Sequence, residues 1–368
     1  MTPRERVKAV FEGRTPDQVP LMLDLSHWYK KNNNVFFDLG GFREVESGLV
    51  ELHKRVNAVC YVEMGAFYGL SIDDPDIRIE VSKDNGIFTT RISTPLGELT
   101  DERVFDQGSY SYNIRKHLLD TVDDFAVVRM VMERYRVTPN WEKYRAWIDA
   151  LGELAFPYVQ LPYSGFGYLI SRYFGVEKTT YAVFDHPEEV QSLVDAVNAN
   201  NLRILDAVID GPFDVLFISD NLDSNVQGRD FFDTYTRPYY TEVARRVHAK
   251  GKYLAIHVDG EMRGLLSPLH ECGVDCVDAA TPSPMFALTP QAARVEAGKD
   301  LILSGGIPAT VFGSIGTDDE FESCVKRWLD TRHASPRLIM AAGDQVPTDA
   351  PYERIARLSD LVSRYGRY

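Results

Sequence analysis

The feature that most constrains this chain is a regular alternation of short apolar segments with longer amphipathic ones. The apolar segments have the length and composition of buried parallel strands, and the amphipathic ones have a helical period. The strand-like segments are residues 21–25, 58–63, 158–162, 214–219, 253–257, 276–280, 301–304 and 337–342. The later helical segments are residues 176–184, 188–210, 230–250, 264–272, 289–297, 318–332 and 352–365.

This succession of strand–helix units predicts an α/β fold, a closed (β/α)8 TIM barrel. An open, doubly wound sheet is the alternative, but no Gly-x-Gly-x-x-Gly turn follows any predicted strand. We expect one domain over residues 1–368, with an antiparallel hairpin inserted at 77–105, after the second strand. In this insert, alternating apolar and polar residues flank the segment from Lys83 to Gly86, whose Asp-Asn-Gly sequence is typical of a tight hairpin turn.

Composition narrows the class of protein. The formal net charge is −14 and the sequence pI is about 5.1, so the overall field repels nucleic acid and anionic lipid. No stretch reaches the roughly 18 apolar residues of a membrane span, and the charged start has no apolar signal segment, so we expect a cytoplasmic protein. The four cysteines show no C-x-x-C spacing and are predicted to be buried, unreactive thiols.

The active site of such a barrel lies at the carboxyl ends of its strands, so the polar residues that follow each apolar segment are the candidates. His257 and Asp259 stand two residues apart after the fifth segment, and side chains with that spacing on a strand point the same way. Glu63, Asp220 and Asp344 follow three other segments. Carboxylates that converge on one rim repel each other, so they need a cation, a shared proton or a positive partner.

These residues predict two kinds of chemistry. His257, Asp259 and Asp344 are the expected ligands of a divalent metal, zinc first and manganese or iron as alternatives, which would polarise a substrate heteroatom. Glu63, His257 and Asp220 are the predicted catalytic residues, with Glu63 either the general acid/base or a fourth metal ligand. In a metal-free alternative, Asp259 orients His257 and one carboxylate stays protonated as an acid. Each residue also has a structural explanation, such as a helix cap or an Asx turn.

The expected substrate-binding residues come from other strand ends. They are His27, Tyr163, Asn221, Asp223 and Gln345. Many aromatic residues fall in the loops after the first three strands, where they would form the walls of a pocket for a planar or methylated organic substrate. Packing in the core is the alternative explanation for these rings.

Several motifs, in order along the whole chain, resemble the uroporphyrinogen decarboxylase superfamily, which also contains the corrinoid-dependent methyltransferases. The opening RERVKAVFEGRTPDQVPL resembles that family's first helix and strand. The other motifs are TPLG at 94–97, FFDTYTRPYY at 231–240, HVDG at 257–260, SGGIP at 304–308 and GDQVP at 343–347. The resemblance implies a TIM barrel and a homodimer.

Departures from the family pattern favour its methyltransferase branch. The decarboxylases have an arginine-rich segment after the first strand, but residues 24–31 contain no arginine, and Glu63 matches their pyrrole-binding aspartate. The methyltransferases bind zinc through a His-x-Cys pair and a later Cys, which His257, Asp259 and Asp344 match with both thiolates replaced. The resemblance therefore implies transfer of a methyl group from a small O- or N-methylated substrate to a corrinoid held by a partner protein.

Two other functions stay open. A uroporphyrinogen decarboxylase-like carboxy-lyase predicts a cluster of arginines over the barrel mouth. A non-catalytic barrel that binds small molecules predicts ordinary salt bridges at the acidic rim, for which Arg172, Arg229 and Arg263 lie in suitable loops.

Overall fold

The computed structural model describes residues 1–36, 40–62 and 64–368. The strands are β1 (Tyr68–Ile72), β2 (Arg78–Asp84), β3 (Ile87–Thr94), β4 (Gly97–Asp106), β5 (Ser111–Lys116), β6 (Tyr135–Pro139), β7 (Val159–Leu161), β8 (Val215–Ile218), β9 (Tyr253–His257), β10 (Cys276–Ala280), β11 (Ile302–Ile307) and β12 (Leu338–Ala342). The α-helices are α1 (Pro3–Phe11), α2 (Ser26–Asn32), α3 (Ser47–Val56), α4 (Phe125–Arg134), α5 (Trp141–Leu151), α6 (Gly165–Tyr168), α7 (Val176–Asp185), α8 (Pro187–Val208), α9 (Arg229–Phe231), α10 (Arg237–His248), α11 (Leu266–Glu271), α12 (Pro290–Ala297), α13 (Ala309–Phe312), α14 (Asp318–Asp330) and α15 (Tyr352–Tyr365).

The parallel strands close into a barrel. Strands β7 to β12 form one sheet in chain order, and each strand pairs in parallel with the next. Two short extended segments complete the ring through parallel bridges between Leu21 and Met340, Met22 and Val59, and Cys60 and Ala155. The predicted (β/α)8 barrel is confirmed, although its first two strands are reduced to these bridges.

Alternate residues of each barrel strand face inward and outward. Along β9, Ala255 joins the cluster that fills the barrel, whereas Leu254 and Ile256 join the cluster beneath the surrounding helices. Because strand side chains alternate with period 2, each strand contributes to both layers. Every residue of β10, β11 and β12 is buried, because both faces of these strands are covered.

Helix α1 covers the amino-terminal end of the barrel. It begins with a capping box, in which Thr2 accepts a hydrogen bond from the backbone N–H of Glu5, and with Pro3 in its first turn. Phe11, at its last turn, packs on the rings of Phe156 and Tyr253 with centroid distances of 5.8 and 5.3 Å. This end of the barrel is therefore plugged by apolar side chains.

The inserted sheet is larger than the sequence predicts. Strands β2 to β5 form a four-stranded antiparallel sheet that ends at Lys116 instead of residue 105. Asn85 and Gly86 form its first turn with φ of 47° and 80°, which suits the predicted two-residue hairpin turn. The sheet packs on α4 through residues such as Ile92, Leu99 and Val127. Strands β1 and β6, which the sequence does not predict, pair beside it.

Within the described ranges, no helix is long and apolar enough to cross a membrane. The four cysteines are unpaired and buried, as expected for core thiols.

Candidate active site

A cavity of about 330 Å³ opens at the carboxyl ends of the barrel strands. Most of the predicted site residues line it, namely His27, Tyr163, Asn221, His257, Asp259, Asp344 and Gln345. The inserted sheet also reaches the cavity, through Ser111 and Tyr112 of β5. The candidate site therefore lies between the barrel strands and the insert.

His257 is held between two carboxylates. Its Nδ1 donates a hydrogen bond of 3.1 Å to Oδ2 of Asp278, and its Nε2 lies 3.6 Å from Oδ1 of Asp344. The hydroxyl of Tyr61 donates to the other oxygen of Asp278 at 3.1 Å. Tyr61 and Asp278 are both buried, so this chain of hydrogen bonds fixes the plane of the imidazole ring.

The carboxylates favour the charged form of this imidazole. Burial alone lowers the pKa of a histidine, but the hydrogen bond to Asp278 and the charges of Asp344, Asp278 and Asp259 outweigh it, and together they raise the pKa of His257 to about 9. Burial raises the pKa of Asp344 to about 7, with His257 opposing this shift and Asp259 adding to it. The pair therefore holds at least one exchangeable proton near neutral pH.

The backbone around Asp278 is strained. Ala279 has φ of 61°, in the left-handed region, and the pairing of β10 with β11 shifts register between Val277 and Ala280. A bulge of this kind redirects side chains at the rim of a barrel. Gly305 makes the close approach possible, because a Cβ at that position would lie 2.3 Å from the carbonyl oxygen of Ala280. The register of β10 with β9 nevertheless sets Asp278 directly beside His257.

A second histidine lies on the wall of the same cavity with different electrostatics. His27 is 5% exposed at the start of α2, close to Asp24, which accepts a 2.8 Å hydrogen bond from the backbone N–H of Ser26. Burial lowers the pKa of His27 to about 4, with the charge of Asp24 opposing this shift and that of Lys30 adding to it. His27 is therefore neutral near pH 7, whereas His257 is charged.

Two predicted site residues lie outside the cavity lining and are hydrogen-bonded within the protein. Both carboxylate oxygens of Asp220 are occupied, since one accepts from the backbone N–H of Ser164 and the other from the hydroxyl of Tyr240, each at 2.6 Å. Asp220 is buried behind the cavity wall, and its burial raises its pKa. Asp223 caps its own turn by accepting a 2.7 Å hydrogen bond from the N–H of Asn225. Neither Asp220 nor Asp223 lines the cavity, and the catalytic role predicted for Asp220 and the binding role predicted for Asp223 stay predictions of the sequence.

Glu63, the remaining predicted catalytic residue, lies outside the described residues.

Comparisons with known proteins place the chain in a family. The family model for uroporphyrinogen decarboxylase (URO-D) matches residues 158–365, which is more than half of the chain. The chain belongs to the uroporphyrinogen decarboxylase family. The matched region contains His257, Asp278 and Asp344, whereas Asp24 and Tyr61 precede it.

A comparison with solved structures supports the fold. A methyltransferase from Methanosarcina mazei superposes with a TM-score of 0.66 over 99% of this chain and 99% of that chain, at 11% sequence identity. A mandelate racemase/muconate lactonizing enzyme from Jannaschia sp. CCS1 gives a TM-score of 0.16 at 10% identity, over 81% of this chain and 98% of that chain, and supports no structural conclusion. No curated protein sequence matches significantly.

The predicted metal ligands of this URO-D family member do not form a coordination site as they stand. Across residues 1–36, 40–62 and 64–368, no three His, Cys, Asp or Glu side chains are arranged so that they would hold a metal ion. Both ring nitrogens of His257 face carboxylates, and Asp259 is exposed. The set of His257, Asp259 and Asp344 therefore does not fit a divalent ion in this conformation, and zinc stays a prediction of the sequence.

Sequence reasoning missed several residues of the site. They are Tyr61, Ser111, Tyr112, Gln160, Phe217 and Ser219. Asp24, Asp278 and Arg172 also line the cavity; the sequence places them at strand ends or in a rim loop but gives them no catalytic or binding role. Period 2 along the strands would have found some of them, because Tyr61 and Asp278 point into the barrel together with Val59 and Cys276. A carboxylate inside the otherwise apolar sequence CVDAA also required a buried partner.

Proposed function

We propose that this protein is a methyltransferase that removes a methyl group from a small O- or N-methylated substrate and transfers it to a corrinoid on a partner protein. The observation that carries the proposal is the clamp of His257 between Asp278 and Asp344 on the wall of the cavity. A fixed, charged imidazole is suited to donate a proton to the heteroatom that leaves the methyl group.

The size of the cavity supports a small substrate. A cavity of about 330 Å³ is at the lower end of the range for pockets that bind small organic molecules. It suits a single aromatic ring better than a tetrapyrrole macrocycle. A corrinoid is also far larger, so it would remain on the partner protein and approach the methyl group from outside.

In this mechanism, the residues of the chain bind the donor and supply a proton. The bond between the methyl carbon and the heteroatom breaks with its electron pair going to the heteroatom, which takes the proton from Nε2 of His257. Asp278 accepts the Nδ1–H and keeps the ring oriented, and Tyr61 fixes Asp278. The charge of Asp344, whose Oδ1 lies 3.6 Å from Nε2, favours reprotonation of the ring. When bound, the corrinoid supplies the nucleophile that accepts the methyl group.

The other functions have less support. Among the described residues that line the cavity, Arg172 is the single arginine or lysine, whereas a decarboxylase acting on a macrocycle with eight carboxylates would require several. Arg229 pairs with Asp233 and does not line the cavity, and within the described residues Arg172 and Arg263 form no ion pair with a carboxylate, so these three arginines do not neutralise the acidic rim as a non-catalytic barrel would predict. We assign no reaction step to a metal, because the candidate ligands are not arranged to hold one.

The test is methyl transfer to free cob(I)alamin, followed by its absorbance, with methoxylated aromatic compounds as donors. We expect His257→Gln to lower the rate by about 10²- to 10⁴-fold, because general acid catalysis contributes about that much. His270→Gln is the matched control, since His270 is exposed on α11 and does not line the cavity. Chelator-treated wild-type protein should keep its activity.

Absence of methyl transfer from every donor would refute the proposal. Full activity in His257→Gln would refute the acid role, and loss of activity on chelation that zinc restores would assign the chemistry to a metal.

A further inference from the structure

The cavity contains one guanidinium whose hydrogen-bonding capacity is nearly unused. Arg172 lines the cavity, and Nη2 donates a 3.4 Å hydrogen bond to the hydroxyl of Tyr163. An arginine has five N–H donors, and within the described residues Arg172 forms no other side-chain hydrogen bond and no ion pair. The remaining donors are therefore available to a ligand.

The position of Arg172 is fixed by its surroundings. It belongs to a π-helical turn, Leu169–Tyr173, and its backbone carbonyl accepts a 3.2 Å hydrogen bond from Nδ1 of His117. The guanidinium lies over the ring of Tyr163, 5.4 Å from its centroid. Tyr163 in turn packs on Tyr168, whose ring stacks on Tyr173 at 4.7 Å. A guanidinium stacked on an aromatic face keeps its edge free for a planar anion.

The charges of the cavity make this arrangement selective. Asp24, Asp259, Asp278 and Asp344 also line it, so an anion is repelled from most of the surface. Arg172 supplies a fixed site where a carboxylate would find two parallel N–H donors. A ligand with one anionic end is thereby oriented, because its carboxylate is drawn to Arg172 and excluded from the acidic residues around His257.

We propose that Arg172 binds a carboxylate of the methyl donor, so that the substrates are small aromatic acids that carry a methylated oxygen or nitrogen. The rings of Tyr112, Tyr163 and Phe217, which line the same cavity, would contact the aromatic ring. The assignment of the methyl group rests on the function proposed above. The assignment of the carboxylate rests on Arg172 alone.

The test is a calorimetric comparison of matched acidic and neutral ligands, with no corrinoid present. The probes are 4-methoxybenzoate and 4-methoxybenzyl alcohol, and the pair 4-ethylbenzoate and 4-ethylbenzyl alcohol, which has no methylated heteroatom. We expect the wild-type protein to bind each acid about 10-fold or more tightly than its alcohol, the range for hydrogen bonds to charged groups. Arg172→Gln should abolish this preference and leave the affinity for the alcohols unchanged.

Arg263→Gln is the matched control, because it removes the same charge from an exposed loop position that does not line the cavity. It should keep the preference for acids. Arg172→Met serves as a second neutral variant if Arg172→Gln does not fold. Equal affinity of the wild-type protein for acids and alcohols, binding of neither, or a preference that survives the loss of Arg172 would overturn the proposal. A preference for both acids without methyl transfer would leave Arg172 as the anion site and refute only the methyltransferase function.

Discussion

The two ends of the barrel interior are built from the same strands but differ in chemistry. On β10, Cys276 lies in the apolar cluster that reaches Phe11 at the amino-terminal end, and Asp278, two residues later, hydrogen-bonds to His257. Both side chains point inward, because they are two residues apart on one strand. The interior therefore changes from an apolar plug to a charged site over two residues. The apolar packing at the amino-terminal end stabilises the fold, whereas the desolvated charges and the strained bulge at the carboxyl-terminal end destabilise it.

The largest expected effect of this difference is on the apolar end. Phe11→Ala should lower the free energy of unfolding by about 3–5 kcal/mol, since it leaves a cavity among the rings of Phe156, Tyr158 and Tyr253. Methyl transfer per folded molecule should not change, because Phe11 lies at the opposite end of the barrel from the site. Denaturant titration and the transfer assay measure the two quantities.

The control is Phe184→Ala on α7, where the ring is 74% exposed, and it should change stability by no more than about 0.5 kcal/mol. A loss of activity in Phe11→Ala that exceeds its unfolded fraction would show that the two ends are coupled.

At the charged end, Asp344→Asn should raise stability by about 1–3 kcal/mol above pH 7. Burial raises the pKa of Asp344 to about 7, so the folded protein holds this proton more tightly than the unfolded chain. The stabilising contribution of protonated Asp344 to folding is therefore fully present below about pH 4, the ordinary pKa range of an aspartate. This contribution is lost as the pH rises to 7. The variant should lack this loss between pH 4 and 7.

His257 makes the stability of the folded protein depend on pH over a second, higher range. Its pKa is raised from 6.5 to about 9, so its contribution is complete below about pH 6.5 and is lost as the pH passes 9. Thermal melts from pH 4 to 9 separate the two windows. Asp149→Asn, at an exposed position of α5, is the control. If the wild-type protein and Asp344→Asn lose stability in parallel from pH 4 to 7, the burial of Asp344 is not what destabilises this end.

The difference between the apolar strands and the polar residues at their ends explains which features the sequence predicts well. Apolar runs of four to six residues locate the barrel strands, because strands buried on both faces must be apolar throughout. His257, Asp259 and Asp344 are predictable for the same reason, as polar residues that end such runs. Asp220 satisfies the same rule but does not line the cavity. Its two oxygens accept hydrogen bonds from Ser164 and Tyr240, which come from distant parts of the chain.

Other features depend on contacts that no local pattern encodes. Strand β5 has the polar sequence SYNIRK and forms only because β4 offers it a pairing edge. Arg172 lies in a π-helical turn whose position depends on the packing of tyrosines, so the sequence places it in a rim loop but does not show that its side chain lines the cavity. In the sequence, Arg172, Arg229 and Arg263 are all arginines of predicted rim loops. In the folded protein, Arg172 lines the cavity and the other two do not.

The smallest expected effect tests the strain beside the site. Ala279→Gly should be neutral or stabilise the protein by up to about 1 kcal/mol, because glycine adopts the φ of 61° at that position without the steric cost that alanine bears. Ala255→Gly, at a buried position of neighbouring β9, is the matched control and should destabilise by about 1 kcal/mol or more. If both variants lose the same stability in denaturant titrations, the bulge stores no strain, and the carboxyl-terminal end differs from the plug by its charges alone.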